Sequence, residues 1–126
     1  MKGVVLVMIR GIRGATTVSK DLAREVLQAT QELLTVMQKE NQFDIEDIAA
    51  VFFTVTSDVR SVFPAKAARS MGWNQVALLC SNEIEVDGAL PRCIRVLLLI
   101  NTNKRQAELK HIYLRESRGL RKDLTE

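Results

Sequence analysis

The sequence is poor in the residues from which metal and nucleophile sites are built. Its 126 residues include two cysteines and a single histidine. Cys80 and Cys93 lack the close spacing of a zinc or redox motif, and His111 has no second histidine beside it, so we expect no metal site. Both cysteines lie in apolar, strand-like segments, which favours reduced thiols in a cytoplasmic protein.

Long apolar runs and aromatic residues are also scarce. No run approaches the roughly 20 apolar residues needed to span a membrane. The apolar stretch 3–9 is followed at once by Arg10 and Arg13 without a small-residue cleavage site, which predicts a strand rather than a signal peptide. With one Trp, one Tyr and four Phe and no RNP-like string, RNA binding is disfavoured. We therefore expect neither a membrane nor a nucleic acid as partner.

What is present fits one globular domain covering residues 1–126. Hydrophobic residues make up 47% of the chain and charged residues 26%, within the globular range. A core of this size is modest, so a deep pocket is more easily formed between subunits than within one. The net charge is +3, and 11 of the 18 Lys and Arg residues are arginines, which form bidentate hydrogen bonds with carboxylates and phosphates. Net charge and arginine content alone do not distinguish a nucleic acid from a small acid as the anionic partner.

Hydrophobic periodicity predicts an α/β (α+β) chain in the order β-α-β-α-β-β-α-β. The predicted strands cover 4–9, 48–56, 75–80, 92–102 and 111–114; the long amphipathic helix covers 20–40, and short helices cover 64–72 and 104–109. Ser19 is the predicted cap of the long helix. Arg13 is predicted in a turn between two glycines, followed by a polar corner at 15–17. Residues 115–126 are predicted to form a mobile tail.

A single-layer mixed sheet with one long helix packed on it leaves its other face uncovered. Strand 48–56 is a continuous apolar run, which is typical of a strand covered on both faces. The chain has little remaining sequence from which to build a second layer. We therefore expect a homo-oligomer.

Arg95 is the most informative single residue. Period-two alternation places it on one strand face together with Cys93, Leu97 and Leu99. A guanidinium inside an apolar strand does not lose its proton and needs an anionic or accepting partner. That partner is either a salt bridge, to Glu83 or Glu85, or a ligand. The chain also contains Arg13, Glu83 and Tyr113, but no Ser/His/Asp set for nucleophilic catalysis. Together with Arg95, these residues favour a reaction that depends on electrostatic stabilisation of a small polyanionic substrate.

Four strings of the sequence resemble the monofunctional chorismate mutases of the trimeric, mixed α/β class. The strings are 9–17, 62–67, 93–96 and 111–114, and the resemblance extends from residue 8 to 124. It implies a ferredoxin-like/chorismate-mutase-like domain that forms a homotrimeric pseudo-α/β barrel, with active sites between neighbouring subunits. It also implies chorismate as the small-molecule substrate, no cofactor, and a cytoplasmic role in phenylalanine and tyrosine biosynthesis.

The resemblance also implies roles for individual residues. Arg95 would be the catalytic arginine at the ether oxygen, and Arg13 would bind a carboxylate beside Tyr113. Glu83 and the backbone at Leu79 and Cys80 would hold the ring hydroxyl. An adjacent subunit would supply Phe63, Lys66 and Arg69, and the tail residues Leu120 and Arg121 would close over the ligand.

Two alternative functions remain open from the sequence. One is an imine or enamine deaminase of similar trimeric fold, which needs an intersubunit arginine but not the set of Glu83, Arg95 and Tyr113. The other is a non-catalytic module that binds a small acid or a nucleic acid through its basic surface.

Overall fold

The computed structural model describes residues 6–120 as a five-stranded mixed sheet with two α-helices on one face. The elements are β1 (Met8–Thr17), α1 (Ala23–Asn41), β2 (Ile48–Val55), α2 (Ala65–Ser70), β3 (Leu78–Asn82), β4 (Cys93–Thr102) and β5 (Ile112–Tyr113). Three short 3-10 helices lie at Ile45–Asp47, Gln106–Glu108 and Arg115–Gly119. None of the helices in residues 6–120 has both the length and the apolar character of a membrane-spanning helix.

The order of the sheet is β3-β2-β4-β1-β5. Strand β4 is antiparallel to both of its neighbours, whereas β3 and β5 are parallel to β2 and β1. The predicted α/β order is confirmed, except that the short helix predicted over 104–109 is a 3-10 helix at Gln106–Glu108. This order differs from the βαββαβ arrangement of a ferredoxin-like domain, so that part of the prediction is wrong. Helix α2 already lies between β2 and β3 and makes the crossover that a parallel strand pair requires.

The first strand lies further along the chain than predicted. It covers Met8–Thr17, so Arg13 is in the middle of a strand rather than in a turn. Residues 15–17, predicted as a polar corner, are buried in that strand. The glycine that suggested a turn serves close packing instead, because a Cβ at Gly14 would meet the sulfur of Met37 on α1.

The long helix is confirmed, but its predicted cap is wrong. The capping position is Leu22, which makes no side-chain cap, and the Ser19 hydroxyl donates to Glu25 instead, at 3.0 Å. Asp21 explains this start of the helix, since its carboxylate accepts the backbone N–H groups of Arg60 and Ser61 across the molecule. The chain before α1 is therefore held extended against a neighbouring segment.

The core lies between α1, α2 and one face of the sheet. It is formed by Ile12, Leu33, Met37, Val51, Phe53, Trp73, Val96, Leu98 and Ile100, among others. On the opposite face, here called the open face, Phe52, Leu79 and Leu97 are 38%, 59% and 41% exposed. The uncovered face expected from the sequence is confirmed for the described chain, and β2 is covered on only one side.

The segment predicted as a mobile tail begins with ordered structure. Arg115–Gly119 is a 3-10 helix beside β1, in which Ser117 is buried. The Arg115 guanidinium donates to the carbonyl of Thr17 and lies 3.4 Å from the Glu32 carboxylate. Residues 121–126 lie outside the described residues, and the mobility of the tail stays a prediction.

Candidate active site

A row of residues crosses the open face at one level of the sheet. Thr54 on β2 lies opposite Arg95 on β4. Arg95 in turn lies opposite Ala15 on β1, and Ala15 is paired with Tyr113 on β5. Directly paired residues share a face of a sheet. The pairing register therefore brings Arg95 and Tyr113 to the same surface, separated by one small residue.

Glu83 reaches this row from the end of β3. Its backbone N–H donates to the carbonyl of Val55 at 2.8 Å, which extends the β2–β3 pairing by one residue. Its Oε1 lies 3.4 Å from Arg95 Nε and accepts a 2.7 Å hydrogen bond from the Thr54 hydroxyl. Of the two glutamates left open by the sequence, Glu83 is the one that pairs with Arg95.

The Arg95–Glu83 pair is not buried in the described chain. Their side chains are 46% and 26% exposed. An ion pair this accessible contributes little to stability. The guanidinium of Arg95 therefore remains accessible to an anionic ligand.

Arg13 lies next to this pair on the same face. It is two residues before Ala15 and opposite Leu97. Its backbone N–H donates to Nδ1 of His111 at 2.9 Å, so that nitrogen is unprotonated. This contact helps to fix the start of β5, and with it the position of Tyr113. The structure thus brings three predicted site residues, Arg13, Arg95 and Tyr113, to one surface together with Glu83.

A second group of predicted residues lies at the outer edge of β3. Phe63, Lys66 and Cys80 line a groove of about 600 Å³. Phe63 is 72% exposed, and the basic residues on α2, Lys66 and Arg69, are exposed as well. Cys80 pairs with Phe53 on the core side of the sheet, whereas Leu79 pairs with Phe52 on the open face. Within one chain, β2 lies between the edge strand β3 and the strand β4 that carries Arg95.

The two cysteines are free, and burial raises the pKa of both thiols. For Cys80, a backbone hydrogen bond at Ala65 and the charge of Arg69 oppose the effect of burial. For Cys93, the charge of Arg95 opposes it. Because the thiolate is the nucleophilic form, these environments disfavour covalent catalysis. In residues 6–120, no group of three or more His, Cys, Asp or Glu side chains is arranged to hold a metal ion.

The remaining site predictions concern the tail. Leu120 follows the last 3-10 helix, is half-buried, and donates its backbone N–H to Ser117. Arg121 lies outside the described residues. Sequence reasoning missed Thr54, although a hydroxyl inside the apolar run 48–56 was a usable signal. Its hydrogen-bond partner, Glu83, could not be identified from the sequence, because the contact depends on the pairing of β2 with β3.

Comparisons with known proteins agree in pointing to one family. Residues 9–124 match the family model described as chorismate mutase type I. The chain is 52% identical over 118 residues to chorismate mutase AroH of Thermus thermophilus, covering 93% of this chain and 97% of that protein. It is 44% identical over 119 residues to chorismate mutase AroH of Bacillus subtilis (strain 168), covering 94% of each. A solved chorismate mutase from Clostridium thermocellum matches with a TM-score of 0.85 and 48% identity, covering 86% of this chain and 97% of that chain.

Proposed function

This chain belongs to the chorismate mutase type I family, and on that premise we propose how its residues perform the reaction. The enzyme is an isomerase of aromatic amino acid biosynthesis that converts chorismate into prephenate. The observation that carries the proposed mechanism is the accessible Arg95–Glu83 pair on the open face. The reaction is a Claisen rearrangement and needs no covalent intermediate.

Arg95 stabilises the transition state. As the C–O bond of chorismate breaks, negative charge develops on the ether oxygen. A guanidinium fixed in advance stabilises that charge more than it stabilises the neutral ether oxygen of the ground state, which is the condition for catalysis. Glu83 supports this role because it holds Arg95 from one side at 3.4 Å and leaves the guanidinium exposed.

The other residues select the reactive conformer of the substrate. Arg13 binds a carboxylate of chorismate, with Tyr113 beside it. Glu83 accepts a hydrogen bond from the ring hydroxyl, aided by the backbone at Leu79 and Cys80. Holding both ends of the molecule in a compact, chair-like arrangement is an orientation effect.

A second subunit completes the site. In this proposal the enzyme is a cytoplasmic homotrimer built as a pseudo-α/β barrel, in which the groove of one subunit meets the open face of its neighbour. Phe63, Lys66 and Arg69 would then form the wall and basic rim, and Leu120 and Arg121 would close over the ligand. The exposed apolar residues of the open face support association, and the free thiols are usual for a reducing compartment.

Replacing Arg95 tests the mechanism. Arg95→Lys keeps the charge but loses the planar fork, and we expect kcat to fall by about 100-fold or more. The measurement follows the loss of chorismate by its diene absorbance. The matched control is Arg24→Lys on the exposed side of α1, for which we expect wild-type kcat. Near wild-type turnover in Arg95→Lys would contradict the assigned role.

A further inference from the structure

We propose that Thr54 is a positioning residue that holds Glu83 in the orientation required at the active site. This inference rests on the function proposed above for Glu83 and names a residue beyond that set. Thr54 lies opposite Arg95 in the β2–β4 pairing, so both side chains emerge at the same point of the open face. It donates its hydroxyl hydrogen to Glu83, the acidic partner of that arginine.

The two contacts converge on one oxygen atom. Glu83 Oε1 accepts the 2.7 Å hydrogen bond from Thr54 and is also the atom 3.4 Å from Arg95 Nε. A hydrogen bond of this length to an ionised carboxylate belongs to the strong class. With Oε1 held from two sides, we assign Oε2 to the ring hydroxyl of the substrate.

Because of its position in the chain, the Glu83 side chain needs a contact such as the Thr54 hydrogen bond to orient it. It lies one residue beyond the end of β3, where the backbone is anchored to Val55 but the side chain is long and flexible. The segment that follows is exposed, including Ile84 and Val86. A glutamate side chain loses rotamer entropy when it is fixed in one orientation. Thr54 is β-branched and has a restricted χ1 angle in a strand, so its hydroxyl is a fixed donor.

A purely structural role for Thr54 makes different predictions. Thr54 is half-buried, and a threonine suits a strand for its shape alone. If that were its contribution, the loss of the hydroxyl would change stability and would affect activity in the same way whether or not Glu83 is present. If Thr54 acts by positioning Glu83, its effect on activity vanishes once Glu83 has been changed.

The test is a double-mutant cycle with chorismate as substrate. Thr54→Val preserves the shape and removes the donor, and we expect kcat/KM to fall about 10-fold or more, as expected for a lost hydrogen bond to a charged group. Thr54→Ser keeps the donor, and we expect it to restore kcat/KM to within about two-fold of wild type. In the Glu83→Ala background, which has no side-chain acceptor for the Thr54 hydroxyl, Thr54→Val should change kcat/KM by less than about two-fold, because the two effects are coupled.

Two controls separate folding from positioning. Thr35→Val, an exposed position on α1, should leave kcat/KM unchanged. Thermal unfolding should show that Thr54→Val and Thr54→Ser are both fully folded at the temperature of the assay. If Thr54→Val does not fold, Thr54→Ala, which also lacks the donor, takes its place in the same cycle.

The outcomes distinguish this inference from the proposed function. Wild-type kcat/KM in Thr54→Val beside an impaired Glu83→Ala overturns the positioning role alone. Equal losses from Thr54→Val in both backgrounds overturn it as well and leave Thr54 a structural residue. Wild-type activity in Glu83→Ala overturns the assigned role of Glu83, and with it the need for Thr54 to position that side chain.

Discussion

At the scale of single residues, charged side chains of this protein are fixed by contacts that do not bury them. Arg95 is held by Glu83 while remaining about half exposed. Asp21 is another case, since its carboxylate accepts the backbone N–H groups of Arg60 and Ser61 at 2.9 and 3.1 Å. This contact joins the start of α1 to the segment that leads to Phe63, so it supports one wall of the proposed site.

The hydrogen bonds to Asp21 predict a pH-dependent contribution to stability. Hydrogen bonding from Ser61, and secondarily from Arg60, lowers the pKa of Asp21 below its ordinary value of 3.8. A lowered folded-state pKa means that the contribution is complete above pH 3.8 and is lost as the pH falls through the lowered value. We expect Asp21→Asn to be less stable than wild type at pH 5 and the difference to shrink in acid. Urea unfolding at one protein concentration checks this, and a pH-independent difference would contradict it.

At the scale of the element, β1 and α1 approach each other closely at Gly14. Gly14 has no Cβ, and this allows Met37 and Leu33 to pack directly on the strand. The same contact helps to set the height of α1 above the sheet. The burial of Ile12 and Leu33 in one cluster follows from it.

Filling the space at Gly14 should therefore destabilise the protein. A Cβ at this position would lie 2.5 Å from the Met37 sulfur and 3.2 Å from a Leu33 methyl group. Overpacking in a core costs about 1–3 kcal/mol, and the flexible methionine places Gly14→Ala toward the lower end. The measurement is the free energy of unfolding in urea. Gly119→Ala is the control, since its Cβ would meet no described atom within 4 Å, and equal stability of the two variants would contradict the prediction.

The sequence predicted the elements with strong periodicity better than those shaped by tertiary contacts. The long helix and the strand bearing Arg95 were predicted well, because their apolar patterns are continuous. Strand β1 was misplaced, because Gly14 resembles a breaker in sequence and acts as a packing site in the structure. The Thr54–Glu83 hydrogen bond was not predicted, because it depends on the pairing of β2 with both β3 and β4.

At the scale of the whole molecule, the predicted site residues form two groups, one on the open face and one at the edge of β3. Arg95, Glu83, Arg13 and Tyr113 belong to the open face, and Phe63 and Lys66 belong to the groove at the edge of β3. In a single chain, both groups of site residues are accessible to solvent. A closed assembly in which the groove of each subunit meets the open face of the next would complete one site per interface.

Complementation between two inactive variants tests this central claim most directly. One variant carries Arg95→Ala on the open face, and the other carries Phe63→Ala and Lys66→Ala in the groove. Each is expected to be inactive alone with chorismate. When both are co-expressed in equal amounts, random assembly should give about one quarter of the sites two intact halves, and activity should return to about that fraction of wild type. Mixed assemblies as inactive as their parents would contradict a site shared between subunits.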